Sequence, residues 1–152
     1  MKKCNLLLVL LVSLLFLSAC SSNHSMTYPF DIRVENTWAI QDDSDIDFSI
    51  AEDTLTPSGV NYTMQNNSDQ PFYFGSPYFI QYKFDETWYS FIDEADWTME
   101  LYQLDPGKSL TFSADWTYLY GALPAGQYRF VKPFFTQPGN QDIHYAFEFS
   151  VS

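Results

Sequence analysis

His24 and His144 are the only histidines in the chain, and histidine is the side chain best placed to move a proton near neutral pH. A hydrolytic triad also needs a nucleophile and an orienting group within hydrogen-bond reach of the base. His24 stands in the polar run Ser21-Ser22-Asn23-His24-Ser25, and His144 falls on the polar side of an alternating segment, where exposure to solvent is expected. No catalytic residue is assigned, and the chain is read as a non-enzyme. Zinc has no ligand set either, because Cys4 and Cys20 both lie at the amino terminus and the histidines lack close partners. Asp42, Asp43, Asp45, Asp47, Glu52 and Asp53 form one dense acidic run, and oxygen-rich runs suit a hard cation such as calcium. Counting from Asp43, Phe48 stands where an EF-hand loop needs glycine and Thr54 where it needs glutamate. That loop is excluded, the run reads as a solvated connector, and neither a metal nor a cofactor is assigned. The remaining chemistry is aromatic: Trp38, Trp88, Trp97 and Trp116 with Tyr73, Tyr78, Tyr89, Tyr102 and Tyr118 exceed what a small core needs. Most are expected in the core and along sheet edges, with some rings at the surface to anchor a protein or stack a sugar.

The chain that must position these groups has 152 residues, 46% hydrophobic and 19% aromatic, with a net charge of −12. That is one domain with ample surface to bury, which excludes a disordered chain. Nucleic acid is excluded as a partner, because seven scattered Lys and Arg residues against nineteen Asp and Glu cannot neutralise a phosphate backbone.

Met1-Lys2-Lys3 followed by the apolar run Leu6 to Ala19 has the layout of a secretory leader. The run is short of the roughly 20 residues a permanent span requires. It ends in Leu17-Ser18-Ala19-Cys20, which resembles the lipobox of bacterial lipoproteins. The resemblance implies cleavage before Cys20 and a diacylglyceryl thioether on its sulfur, hence lipidation at Cys20 and a membrane partner at the extracytoplasmic face of a bacterial cell. More than one acyl chain makes such an anchor stable, since each buried methylene contributes about 0.8 kcal/mol. With Cys4 removed and Cys20 occupied, no thiol is left to staple the exported part. Loss of Lys2 and Lys3 leaves it more acidic still, which favours solubility and a monomer standing clear of the bilayer. The triplets at Asn23, Asn61 and Asn66 match glycan acceptors but are incidental in a bacterial setting.

Residues 20–45 read as the lipidated cysteine, a linker and a leading strand in which Phe30, Ile32 and Val34 alternate with polar residues. From residue 46 the alternation restarts as Ile46, Phe48, Ile50, and continues through Val60, Tyr62, Met64 and through Tyr78, Ile80, Tyr82, Phe84. Asp85-Glu86-Thr87 turns the chain into Trp88 to Ile92, a weaker strand covers Met99 to Leu104, and Asp105-Pro106-Gly107-Lys108 turns into Leu110 and Phe112. One helical turn is placed at Asp115 to Tyr120, and Ile143, Tyr145, Phe147, Phe149 and Val151 line one face of a closing strand. The pattern predicts an all-β domain over 46–152, a two-sheet Greek-key sandwich of about seven strands, with an eight-stranded barrel as the alternative.

Leu123-Pro124-Ala125-Gly126-Gln127-Tyr128-Arg129-Phe130 resembles the tyrosine corner of immunoglobulin sandwiches, in which a strand-opening Tyr bonds back to upstream backbone two residues before a core cysteine. Phe130 stands in that cysteine position, and Tyr128 is read as a packing device. Together with Asn66-Asn67-Ser68-Asp69, Gly75, Trp88-Tyr89, the Leu104 to Gly107 turn, Asp115-Trp116, Tyr120-Gly121 and Lys132, this segment is similar to the bacterial immunoglobulin-like domain of exported Firmicutes proteins. The resemblance implies an extracytoplasmic, non-catalytic module with a protein partner or a spacer role. A carbohydrate or cell-wall ligand held by exposed tryptophans is the alternative.

Overall fold

Alternating apolar residues make strands with one buried side, and here two such sheets close on each other. The structure, a computed structural model, describes residues 34–35, 37–91, 95–137 and 142–152. The leader, Cys20, the linker and the start of the leading strand lie outside the described residues. The strands are β1 (Val34–Glu35), β2 (Ile46–Ile50), β3 (Gly59–Asn66), β4 (Phe72–Phe74), β5 (Phe79–Phe84), β6 (Thr87–Ser90), β7 (Tyr102–Leu104), β8 (Ser109–Asp115), β9 (Gly126–Phe134) and β10 (Ile143–Val151). One helical turn, α1 (Thr117–Tyr120), follows β8.

One sheet has the order β2-β3-β8 and the other β1-β6-β5-β9-β10, all antiparallel, with β4-β7 as a separate ribbon. The chain leaves the first sheet after β3, returns to it at β8 and leaves again for β9, the Greek-key path of an immunoglobulin-like sandwich. Strands β2, β3, β5, β6, β8, β9 and β10 fall on the main alternating segments, β1 on the end of the expected leading strand and β7 within the weaker one, and the structure adds β4. Within the ribbon β7 is shorter than the stretch from Met99 expected from sequence, and β4 follows Pro71, where sequence indicated only a turn. At the β5–β6 hairpin Asp85 and Glu86 both take positive φ, 47° and 63°, the twist a two-residue turn needs.

The core is aromatic. Tyr62 on β3 faces Phe130 on β9 across the sandwich at 4.9 Å between ring centres, and Phe130 stacks on Tyr78 and Phe147 at 4.9 and 5.0 Å. Rings thus bridge the layers where antibody domains place a disulfide, and each pair adds about 0.5–1.5 kcal/mol beyond its buried area. Tyr128 donates to the Pro124 carbonyl at 2.8 Å, the expected tyrosine corner. Trp116 is fully buried and donates its indole N–H to the Pro57 carbonyl at 2.7 Å, fixing the loop before β3. Asn66, also fully buried, is a staple: its amide donates to Gln70 and Leu104 carbonyls at 2.7 and 2.9 Å, and its oxygen accepts from the Ser68 amide and hydroxyl.

The chain before β2 straps the outer side of the five-stranded sheet. β1 pairs with β6 at one edge, and at the other Ile40 bridges His144 while the Gln41 amide donates to the His144 carbonyl at 2.8 Å. Between these points Trp38 packs edge-on against Phe79 and stacks on His144, both at 4.7 Å. Sequence placed His144 in solvent; the strap leaves it half-buried, and that burial lowers its pKa against the opposing pull of Asp142.

Candidate functional site

Among the described residues no three His, Cys, Asp or Glu side chains converge on a metal position. In the acidic run, Asp43 accepts the Tyr145 hydroxyl at 2.9 Å and the Asp45 amide at 3.0 Å, so it ties the connector to β10. His144 lies under the strap on the outer face, and His24 and Cys20 fall outside the described residues.

One recess of the described surface has a distinct chemical character. It opens between β8 and the β4–β7 ribbon, with a volume of about 450 Å³ and walls that include Phe74, Trp97, Tyr102, Phe112 and Tyr118. The alternation of β8 and β4 sends Phe112 and Phe74 toward the interior, where they meet edge-on at 5.7 Å. Tyr102 of β7 stacks on Phe74 at 5.3 Å, and Trp97 meets Tyr78 at 5.1 Å. Tyr78 in turn donates to the Asp115 carbonyl at 2.8 Å, which ties the loop before β5 to the end of β8.

Three large apolar side chains are fully or mostly exposed among the described residues, Tyr118 on α1 at 96% and Met99 and Leu101, flanking Glu100, at 102% and 59%, and of these Tyr118 lines the recess. The four tryptophan candidates therefore sort cleanly. Trp116 is core, Trp38 belongs to the strap, Trp88 lies under the Arg129 guanidinium at 4.6 Å, and only Trp97 lines the recess. Among the tyrosines, Tyr118 is the ring presented to solvent.

Lys132 closes the inner wall. Its position in β9 follows the apolar series Tyr128 and Phe130, so alternation turns it inward, and it is only 2% exposed. Its ammonium donates to the carbonyls of Gly75, Ser76 and Pro77 at 2.6, 3.2 and 2.8 Å and sits 5.2 Å from the Phe74 ring centre. Burial pushes the amine down to about 7, while three carbonyls supply one acceptor for each proton of the charged form. The contacts make Lys132 a clamp on the loop between β4 and β5. In the sequence Lys132 stands out only as part of a resemblance; a lysine in register with an inward aromatic row was the signal that it is buried.

Two acidic residues are among the lining. Asp96 and Asp115 line the recess, and the Thr117 amide, bonded at 2.9 Å, holds the Asp115 carboxyl below the usual carboxylate range. Glu100 accepts from Tyr102 at 2.5 Å and from Ser76 at 3.3 Å. The arrangement offers ring faces, with no nucleophile–base pair among its described lining residues.

A comparison with curated proteins finds no match. The model of one family, described as bacterial Ig-like domain, matches residues 42–149, more than two thirds of the chain. With the sandwich, the tyrosine corner and that match in agreement, the chain belongs to the bacterial Ig-like domain family.

Proposed function

We propose that this chain is a lipid-anchored, non-catalytic surface protein of a bacterial cell, tethered through Cys20, whose Ig-like domain binds a protein partner through the groove beside β8. The carrying observation is Tyr118, a ring 96% exposed at the edge of an aromatic-lined recess, on an otherwise acidic domain. An exposed aromatic ring at the edge of a recess is what a protein contact buries. Sugar stacking asks for open tryptophan faces, and the described tryptophans are all buried or half-buried. The tether rests on Leu17-Ser18-Ala19-Cys20 alone.

The groove is tested by capture from envelope extract with the full-length protein in detergent and with a Tyr118→Ala variant. The reading expects a partner retained by the first and lost by the second at unchanged melting temperature; equal capture, or capture of glycan fragments in place of protein, overturns it. Mass spectrometry of the membrane-extracted protein tests the tether, and an unmodified Cys20 thiol refutes it.

A further inference from the structure

The ladder between β3 and β8 fixes where the backbone groups of β8 point. It is bracketed by bonds from the Trp116 amide to the Ser58 carbonyl and from the Asn66 amide to the Lys108 carbonyl, both 3.0 Å. Antiparallel pairs alternate between residues that exchange both bonds and residues that exchange none. In the unbroken register between the brackets, Leu110, Phe112 and Ala114 therefore direct their N–H and C=O groups to β3, while Ser109, Thr111, Ser113 and Asp115 turn theirs to the open edge. The Asp115 carbonyl accepts from Tyr78 there. The N–H and C=O groups of Ser109, Thr111 and Ser113 have no hydrogen-bond partner among the described residues.

Burial along this edge is unfinished. Val60, Tyr62 and Met64 on β3 are at most 4% exposed, while Leu110 and Phe112, turned inward beside Met64 and Tyr62, are only half-buried. A sheet edge is ordinarily blunted by proline, a bulge or charge. β8 has an unbroken register, no proline and no charged residue before Asp115. β2, at the other edge of the same sheet, carries Asp47 and follows Asp42, Asp43 and Asp45.

We infer that β8 is a strand-addition site: an extended segment of the partner protein pairs with the backbone of Ser109, Thr111 and Ser113. Its alternate, apolar side chains cover Leu110 and Phe112 and enter the recess, whose lining includes Phe112, Ser113, Ala114 and Asp115 along that edge. The segment carries no acidic residue, because the chain it meets has a net charge of −12. The same charge disfavours a second copy of this chain as the occupant. This inference rests on the groove being the contact surface, and its test separates the two.

The probe is the peptide acetyl-Lys-Thr-Val-Thr-Val-Thr-Lys-amide, with two twins N-methylated either at the threonines or at the valines, whose amides point to opposite edges of an extended chain. They are titrated into the full-length protein in detergent and followed by amide hydrogen exchange in NMR. The parent peptide is expected to bind saturably and to slow exchange at Ser109, Thr111 and Ser113. One twin should bind like the parent and the other about fivefold more weakly or worse, since a pairing strand presents one edge only. Thr111→Pro removes an outward N–H and no bond to β3, and should weaken the parent by about fivefold or more. Thr111→Ala loses only the hydroxyl bonded to Thr63 and should bind as wild type; if the proline variant does not fold, the twins decide. No binding of the parent, equal affinity of the twins, no protection of the three amides, or indifference of a folded Thr111→Pro overturns strand addition. So does a concentration-dependent dimer that protects the same amides without peptide. The contact surface would still stand if capture remains sensitive to Tyr118→Ala.

Discussion

Lys132→Met tests the most unusual feature of the interior, an amine held by backbone carbonyls alone. Methionine keeps the length of the side chain and its packing under Phe74 but donates nothing, so the carbonyls of Gly75, Ser76 and Pro77 lose their donor. An orphaned buried acceptor costs about 1–3 kcal/mol. All three residues are half-buried at the groove wall, where water replaces part of the loss, and removal of a buried ammonium returns some desolvation energy. The net expected cost is about 2–3 kcal/mol near pH 6, or roughly 10 °C or more in melting temperature for a domain of this size. The pH dependence is sharper than the cost. Burial holds the folded amine at about 7 against 10.5 in the unfolded chain, so between those values the unfolded state binds more protons and wild-type stability rises with pH. The variant lacks the group, and every other titrating residue is shared and cancels in the difference. Urea unfolding followed by tryptophan fluorescence should therefore show a gap between the two proteins that widens from about pH 6 to about pH 9. Parallel profiles, or a variant within about 0.5 kcal/mol of wild type throughout, would refute the assignment of Lys132 as the loop clamp.

Tyr128→Phe keeps the ring against Phe149 and deletes the bond to Pro124, so a loss of about 1–3 kcal/mol in denaturant unfolding is expected, while Tyr118→Phe on the exposed ring should change nothing measurable. Asn66→Ala strips donors from two carbonyls and an acceptor from Ser68, and should cost about 2–4 kcal/mol. Trp38→Ala should free the strap, seen as faster hydrogen exchange at the Gln41 amide with a global loss of only about 1–2 kcal/mol, since the ring is half-buried. Because burial lowers the pKa of His144, the unfolded chain takes up that proton first, and stability should fall as pH drops through 6.5; His144→Gln should remove that part of the acid sensitivity.

How far the fold could be read from residues alone depended on strand length. β3, β9 and β10 run eight or nine residues, long enough for a period of two to declare itself, and their inward positions agree with the alternation read from sequence. β4 is Phe-Tyr-Phe, three aromatic residues in a row after a proline, and it is a strand only because β7 and Phe135 supply its partners. Tertiary pairing decides such segments, and no local pattern encodes it. The tyrosine corner was legible for the opposite reason: its bond spans four residues, so Pro124 and Tyr128 carry the geometry within one short stretch. His144 was misplaced because alternation reports which side of a sheet a residue faces, and a strap arriving from about a hundred residues away can bury the solvent side.

The groove was the least legible part, for the same physical reason. Its rings come from β3, β4, β7, β8, α1 and the approach to β5, and in sequence each looks like one more core aromatic. Only exposure separates Tyr118 from Tyr120, two residues apart on the same helical turn, one at 96% and the other at 8%. Charge behaves alike. Nineteen carboxylates against seven basic residues suggested an acidic, repelling surface, and the fold engages three of its cations locally: Arg129 over Trp88 and on Gln81, Lys83 on Glu86, Lys132 in the carbonyl clamp. Cations engaged in this way leave little positive charge to offset the acidic residues, so the excess of carboxylates read from composition sets the field around the domain.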